Sequence, residues 1–244
     1  LDAVGQYILL DSRRVGLATY VTRICQAQLF SLFMPGRTGD VSLMFIIAGE
    51  SKAKIAKTYF FTKLFTVGLC IALAAPLIEE ISTFSSLAVL VAGAIWVGGA
   101  VITLINFATF RGFLRKMNLR ILNGFLKSHS VVKPAYQAIM LSLFILTMRL
   151  LISGYGLWML VLSVHSDFTM TQALAVQCAI LLASLLPVAP MGLGIVEWGF
   201  IVFLSVYGLP ESAGISIPLV GRLFQILSMS FFALTLIWLP FRND

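Results

Sequence analysis

Five basic side chains fall inside long apolar runs of this sequence, where a charge is costly to bury. They are Arg23, Arg37, Lys63, Arg149 and Arg222. A charge at the centre of a membrane helix costs about 2.5–3.5 kcal/mol on insertion scales, so each base needs a partner, a polar cavity or a ligand. Two acids in similar surroundings, Asp40 and Glu197, do not neutralise five bases. The surplus predicts an anionic ligand; the alternative is internal pairing with these acids, with Lys63 snorkelling to the surface.

Both acids accompany breaks that are rich in Pro and Gly. Residues 35–40 form the first break and residues 187–194 the second. Broken apolar segments in matching positions of two halves of a membrane protein indicate a transporter-type site near the bilayer midplane. The helix that follows each break would direct free N–H groups and partial positive charge into the membrane, which suits an anion. We therefore expect the ligand site to include, besides the charged residues, Gly39, Pro190, Gly192 and Gly194.

Asp40 and Glu197 also have a simpler interpretation. Asp40 stands where an N-cap is expected, and Glu197 falls in the first turn of the next helix. Both carboxylates can accept hydrogen bonds from the free N–H groups of a helix N-terminus. For each acid, a capping role and a binding role stay open.

Catalytic motifs are poorly represented. His129 and His165 do not lie beside an acid–nucleophile set, and no HExxH, GxSxG or P-loop pattern occurs. The three cysteines form no CxxC pair and are interpreted as small core residues. We predict no enzymatic activity, no metal site and no cofactor.

Composition places the chain in a membrane. Of its 244 residues 59% are hydrophobic and 11% are charged, and the mean hydropathy is +0.99. A soluble domain averages about 25% charged residues. The net charge of +7 is explained by basic loops on the inner side, so we predict no nucleic-acid partner. The chain begins at Leu1, so we expect an initiating segment to precede it.

The apolar runs predict an all-α, polytopic integral membrane helix bundle that forms one domain over residues 1–244. Full spans are expected at 58–78, 86–108, 135–163 and 217–239. The basic stretch 111–133 repeats its apolar residues at helical spacing, which favours an amphipathic helix on the cytoplasmic surface.

Charge also predicts the topology of the two broken segments. With 14–50 and 172–207 as re-entrant hairpins of inverted orientation, every Lys and Arg except the five bases at membrane depth falls in a cytoplasmic loop or end. A full crossing by the first segment would place Arg37 outside and leave 41–56 too short to return.

Four stretches of the sequence resemble the transmembrane region of the lysylphosphatidylglycerol synthase family, which includes free-standing flippase-like members. They are residues 33–40, 62–65, 186–197 and 221–222. The chain departs from the family pattern at several positions, where Asp40, Thr62, Thr66, Ala189 and Met191 stand. The family's soluble aminoacyl-transferase domain does not occur within these residues, so the resemblance implies lipid handling and not lysyl transfer.

Together these patterns favour a flippase-like transporter of the cell (inner) membrane that moves an anionic phospholipid or a polyprenyl-phosphate lipid. One alternative is an intramembrane enzyme that modifies lipid headgroups, with Asp40 or Glu197 as its acid–base group. Another is a non-transporting scaffold for envelope-lipid assembly. Membrane lipids are the expected partners, and a second copy of the chain or an envelope-assembly enzyme are further candidates.

Overall fold

The computed structural model describes residues 1–10, 15–33, 47, 52–106, 135–184 and 194–237. All regular secondary structure within these ranges is α-helical, as predicted. The helices are, in chain order, α1 (Asp2–Leu10), α2 (Leu17–Phe33), α3 (Lys52–Leu73), α4 (Ala75–Ile81), α5 (Ser86–Ile105), α6 (Tyr136–Leu162), α7 (Met170–Ala183), α8 (Ile195–Ser205) and α9 (Glu211–Ile237).

Three of the described helices are long and apolar enough to cross a membrane. They contain the segments Lys54–Leu73, Ser86–Ile105 and Tyr136–Leu162. These segments overlap the first three predicted spans, which confirms that the chain is a helical membrane protein.

The first span differs from its prediction at both ends. Helix α3 begins at Lys52 and ends at Leu73, and α4 starts after Ala74 with Pro76 in its first turn. Proline has no N–H to continue a helix and its ring clashes with the preceding turn, so it favours a new helix start at this point. Helix α3 thus ends five residues before the predicted boundary at residue 78.

The fourth predicted span lies mostly within α9. This helix has 27 residues, begins at Glu211 directly after Pro210, and contains Pro218. An acid in the first turn is favourable there because the helix N-terminus carries partial positive charge. The helix starts six residues earlier than the sequence predicts.

Helices α7 and α8 are too short to cross the membrane. Their 14 and 11 residues rise about 21 Å and about 16 Å, against a hydrocarbon core of about 30 Å. Ile180 of α7 and Phe200 of α8 belong to one buried apolar cluster. Phe168, just before α7, and Tyr207, just after α8, form an edge-to-face ring contact with centroids 5.7 Å apart. The start of α7 thus lies beside the end of α8.

Helices α3 and α5 interlock through two glycines. A Cβ on Gly93 would lie 2.6 Å from the backbone nitrogen of Ala72, and a Cβ on Gly68 would lie 2.6 Å from the side chain of Val97. The indole N–H of Trp96 donates to the carbonyl oxygen of Leu64 at 3.1 Å. Close backbone approach through small residues is how membrane helices gain packing energy.

Three predicted elements fall wholly or mostly outside the described residues. These are the amphipathic segment 111–133, the break of the first hairpin at residues 35–40, and the break of the second hairpin at residues 187–194, of which Gly194 alone is described.

Candidate functional site

Glu197 and Arg222 form an ion pair between α8 and α9. The Glu197 Oε1 and Arg222 Nη2 atoms are 2.9 Å apart, and both side chains are largely buried, at 20% and 16% exposure. Gly214 brings the two helices together, because a Cβ there would lie 2.6 Å from the Cα of Ile201. The contact is therefore a largely buried ion pair that joins α8 to α9.

Glu197 also organises the start of its own helix. Its Oε2 accepts a hydrogen bond of 2.7 Å from the backbone N–H of Gly194, the N-cap of α8. Gly194 has a φ of 84°, a conformation that favours glycine because a Cβ would be strained. The two alternatives for Glu197 are thus combined in one carboxylate: one oxygen caps and the other meets Arg222.

Arg149 has a carboxylate partner that the sequence analysis missed. Its Nη1 lies 2.8 Å from Oδ1 of Asp2, the first residue of α1. Gly5 and Ser142 dock α1 on α6, since the buried Ser142 hydroxyl donates to the Gly5 carbonyl at 3.1 Å. The expectation that only Asp40 and Glu197 face the membrane-depth bases is wrong, because Asp2 is a third acid.

The two ion pairs have the same layout. Each acid lies in the first turn of a short helix, Asp2 in the nine-residue α1 and Glu197 in the 11-residue α8. Each base lies near the middle of a 27-residue helix, Arg149 in α6 and Arg222 in α9. Asp2 stands at the start of an apolar segment, and this sequence signal could have marked it as a candidate partner for a buried base.

The remaining described bases have other neighbours. Arg23 Nη1 donates to Gln26 Oε1 at 3.1 Å within α2. Lys63 Nζ lies 5.1 Å from the centroid of the Tyr59 ring, a cation–π contact. Neither of these two contacts belongs to one of the ion pairs. The other predicted site residues lie outside the described residues, namely Arg37, Gly39, Asp40, Pro190 and Gly192.

A polar stripe runs along α3 at intervals of four residues. Thr62 donates its hydroxyl to the Thr58 carbonyl and Thr66 donates to the Thr62 carbonyl, both at 2.9 Å. Threonine can satisfy its hydroxyl in this way inside a membrane without an external partner. The stripe continues to Cys70, which belongs with Cys178 of α7 to one buried cluster. Both thiols are buried, as the sequence predicts for these two cysteines.

At one end of the bundle, Tyr207 lies in the turn between α8 and α9. Burial raises the pKa of Tyr207 to about 12, and the nearby Glu80 carboxylate acts in the same direction. Glu80 lies in the last turn of α4, and Tyr207 also contacts Phe168 just before α7. The ends of α4 and α8 and the start of α7 therefore lie on one side of the molecule. The described residues contain no group of three or more His, Cys, Asp or Glu side chains that could hold a metal ion.

Comparison with known protein families places this chain in a described family. The family model described as the lysylphosphatidylglycerol synthase TM region matches residues 1–233. Neither the curated proteins nor the solved structures include a match to this chain.

Proposed function

The chain belongs to the lysylphosphatidylglycerol synthase transmembrane family, and on this premise we propose that it moves an anionic or phosphate-bearing lipid across the cell (inner) membrane. The observation that carries the proposal is the Glu197–Arg222 pair, an ion pair between two largely buried side chains beside the N-terminus of α8. A guanidinium at membrane depth needs an anionic partner, and a phosphate group can take the place of the carboxylate.

The depth of this pair supports a site near the bilayer midplane. Glu197 lies about 12 Å before the end of α8, and Arg222 about 17 Å after the start of α9. The turn between these helices is on the same side as Phe168 and Glu80. If that side is the outer surface, both charges lie about halfway through a core of about 30 Å.

The short helices support the re-entrant arrangement of 172–207. Two helices that are each too short to cross, and whose outer ends meet at Phe168 and Tyr207, fit a segment that enters and leaves on one side. The shared layout of the Asp2–Arg149 and Glu197–Arg222 pairs supports an internal repeat. Irregular backbone at membrane depth is tolerated where it is covered by protein or lines a wet cavity.

The chemistry proposed at Arg222 is an exchange of anions. A phosphate oxygen replaces Glu197 Oε1 at the guanidinium, which binds phosphate and carboxylate in similar geometry. Glu197 keeps its hydrogen bond to Gly194 and therefore stays in place when Arg222 changes partner. The N-terminus of the 11-residue α8 adds partial positive charge beside the phosphate.

The two ion pairs reduce the surplus of buried positive charge that the sequence predicts. Asp2 already meets Arg149 and Glu197 already meets Arg222. What favours an anionic lipid is an exchangeable pair at a helix N-terminus. No covalent step is included, so the proposed protein is a transporter and not an enzyme.

The test is lipid movement in proteoliposomes. Purified protein is reconstituted with headgroup-labelled phosphatidylglycerol, a labelled polyprenyl phosphate, or labelled phosphatidylcholine as the zwitterionic control, and label in the outer leaflet is quenched chemically. We expect movement of at least one anionic lipid, little movement of phosphatidylcholine, and at least a tenfold loss of rate in Arg222→Gln.

Glu211→Gln, at the start of α9, is the matched control variant and should keep the wild-type rate. Folded wild-type protein that moves no anionic lipid contradicts the proposal. Mass spectrometry of the recovered lipid addresses the enzymatic alternative, because a headgroup-modifying enzyme changes the lipid mass and a transporter does not.

A further inference from the structure

We propose that the protein carries one proton with each singly charged anionic lipid, and that the Glu197 carboxyl group is the proton carrier. This inference rests on the proposed lipid transport and adds a second transported species. It is argued from the charges around Glu197 and from the two separate contacts of its carboxylate.

The charge balance of the site supports proton coupling. Without lipid, the Glu197–Arg222 pair is neutral. A headgroup with one negative charge at Arg222, beside ionised Glu197, leaves one uncompensated negative charge at membrane depth. An uncompensated charge at that depth is costly to bury. One proton on Glu197 restores neutrality, so the site is neutral both when empty and when loaded.

The Glu197 carboxyl group can be protonated without a change of position. One oxygen of the neutral carboxyl group still accepts the N–H of Gly194, as Oε2 does in the ionised form. The other oxygen then carries the proton and can donate it in a hydrogen bond to a phosphate oxygen. The proton comes from water on the side where the lipid binds, and is returned to water on the side where the lipid leaves and Arg222 recovers its carboxylate partner.

The helices around Glu197 contain few other charged residues. Helix α8 carries no charged residue besides Glu197, and α7 carries none, its only titratable group being the Cys178 thiol. Helix α9 contributes Arg222 and, about 17 Å away along its axis, Glu211. Helix α2 packs against α9 and contributes Arg23, which donates to Gln26. Helix α6 also packs against α9 and contributes Arg149, which is paired with Asp2. Among the described helices packed at this site, Glu197 is thus the acid in contact with Arg222.

The experiment measures lipid and proton together. Proteoliposomes hold a trapped pH-sensitive dye and headgroup-labelled phosphatidylglycerol, and either a pH gradient or a potassium diffusion potential is imposed. For the wild type we expect proton flux that follows lipid movement, at about one proton per lipid. A gradient of one pH unit should support about a tenfold accumulation of label in one leaflet. The diffusion potential alone should have little effect, because lipid and proton together carry no net charge.

Glu197→Gln should remove the proton flux and the response to the pH gradient. Its empty site retains the charge of Arg222, so any lipid movement that remains should respond to the diffusion potential. Glu197→Asp, which keeps a titratable group, should restore a response to the pH gradient. Glu211→Gln should behave as the wild type in both measurements.

The outcomes separate this inference from the proposed function. Wild-type protein that moves lipid without proton flux, or at a rate that ignores the pH gradient, overturns proton coupling and leaves lipid transport standing. Wild-type protein that moves no lipid overturns both. If Glu197→Gln does not fold, the wild-type proton flux still decides the question.

Discussion

Glu197 contacts Arg222 of the neighbouring helix through one carboxylate oxygen and the N–H of Gly194 through the other. The same side chain therefore fixes the first turn of α8 and balances a charge on α9. Because the two contacts use different oxygens, Arg222 can lose its partner without releasing the start of α8. This separation is the structural basis of the anion exchange that we propose.

Breaking the Glu197–Arg222 pair from one side should destabilise the protein. Removing one partner of a fully buried pair costs about 3–5 kcal/mol. The side chains here are 20% and 16% exposed, so we expect a cost on the order of 1–3 kcal/mol for Glu197→Gln or Arg222→Gln. Thermal unfolding in detergent checks this.

The double variant Glu197→Gln, Arg222→Gln gives the internal control for that measurement. It leaves no unbalanced charge, so its loss of stability should be smaller than the sum of the two single losses. Additive losses would contradict a direct interaction between the two side chains.

Gly194→Ala should lower stability through backbone strain. The φ of 84° at Gly194 costs a residue with a Cβ about 1–3 kcal/mol, although a Cβ there meets no atom within 4 Å. Gly156→Ala in α6 is the matched control, since a Cβ at that position also meets nothing within 4 Å. The control should be neutral or slightly stabilising, because alanine is the better helix former. Equal thermal shifts in the two variants would exclude strain as the cause.

Ser142→Ala should weaken the docking of α1 on α6. The variant removes the 3.1 Å hydrogen bond to the Gly5 carbonyl in a fully buried site, at a cost of about 0.5–1.5 kcal/mol. Because α1 carries Asp2, hydrogen exchange should rise in α1 and around Arg149. Ser163→Ala, at an exposed helix end, should leave exchange in α1 unchanged.

Cys70 and Cys178 should cross-link under a membrane-permeant oxidant. Both residues lie in one buried cluster between the packed helices α3 and α7, and both thiols are free. We expect a peptide containing both residues to appear in non-reducing mass mapping and to disappear after reduction. Cys25 of α2 is the control and should remain alkylatable. Cross-linking of Cys25 in place of either thiol would contradict the packing of α3 against α7.

Tyr207 should remain protonated at pH values above the ordinary tyrosine pKa of 10.0. Its pKa is raised to about 12 by burial and then by Glu80. The folded state holds this proton more tightly than the unfolded state, so the stabilising contribution is complete below pH 10 and is lost as the pH rises towards 12. The absorbance titration of the wild type minus that of Tyr207→Phe reports this group. Glu80→Gln should shift the difference titration to lower pH.

The sequence predicted the features that leave a local signal. A charge within an apolar run marked Arg149 and Arg222, and a Pro- and Gly-rich break marked Gly194 and Glu197. Composition and long apolar runs were enough for the helical membrane class. Pro76, a local signal that the span prediction did not use, marks where α3 gives way to α4.

Partnerships between distant parts of the chain could not be predicted in the same way. Asp2 and Arg149 are far apart in sequence, and nothing near either residue indicates the other. The Cys70–Cys178 contact has the same character. Such pairs depend on which helices become neighbours. In a membrane that choice follows backbone fit at small residues such as Gly154 more than hydrophobicity, which all the helices share.

The interlocked glycines of α3 and α5 limit where the bundle can change shape. A Cβ on Gly93 would lie 2.6 Å from the Ala72 backbone nitrogen, so the two helix backbones pack closely at this point. We expect these two spans to act as a fixed frame, and we expect the proposed lipid transport to displace α7, α8 and α9 against that frame.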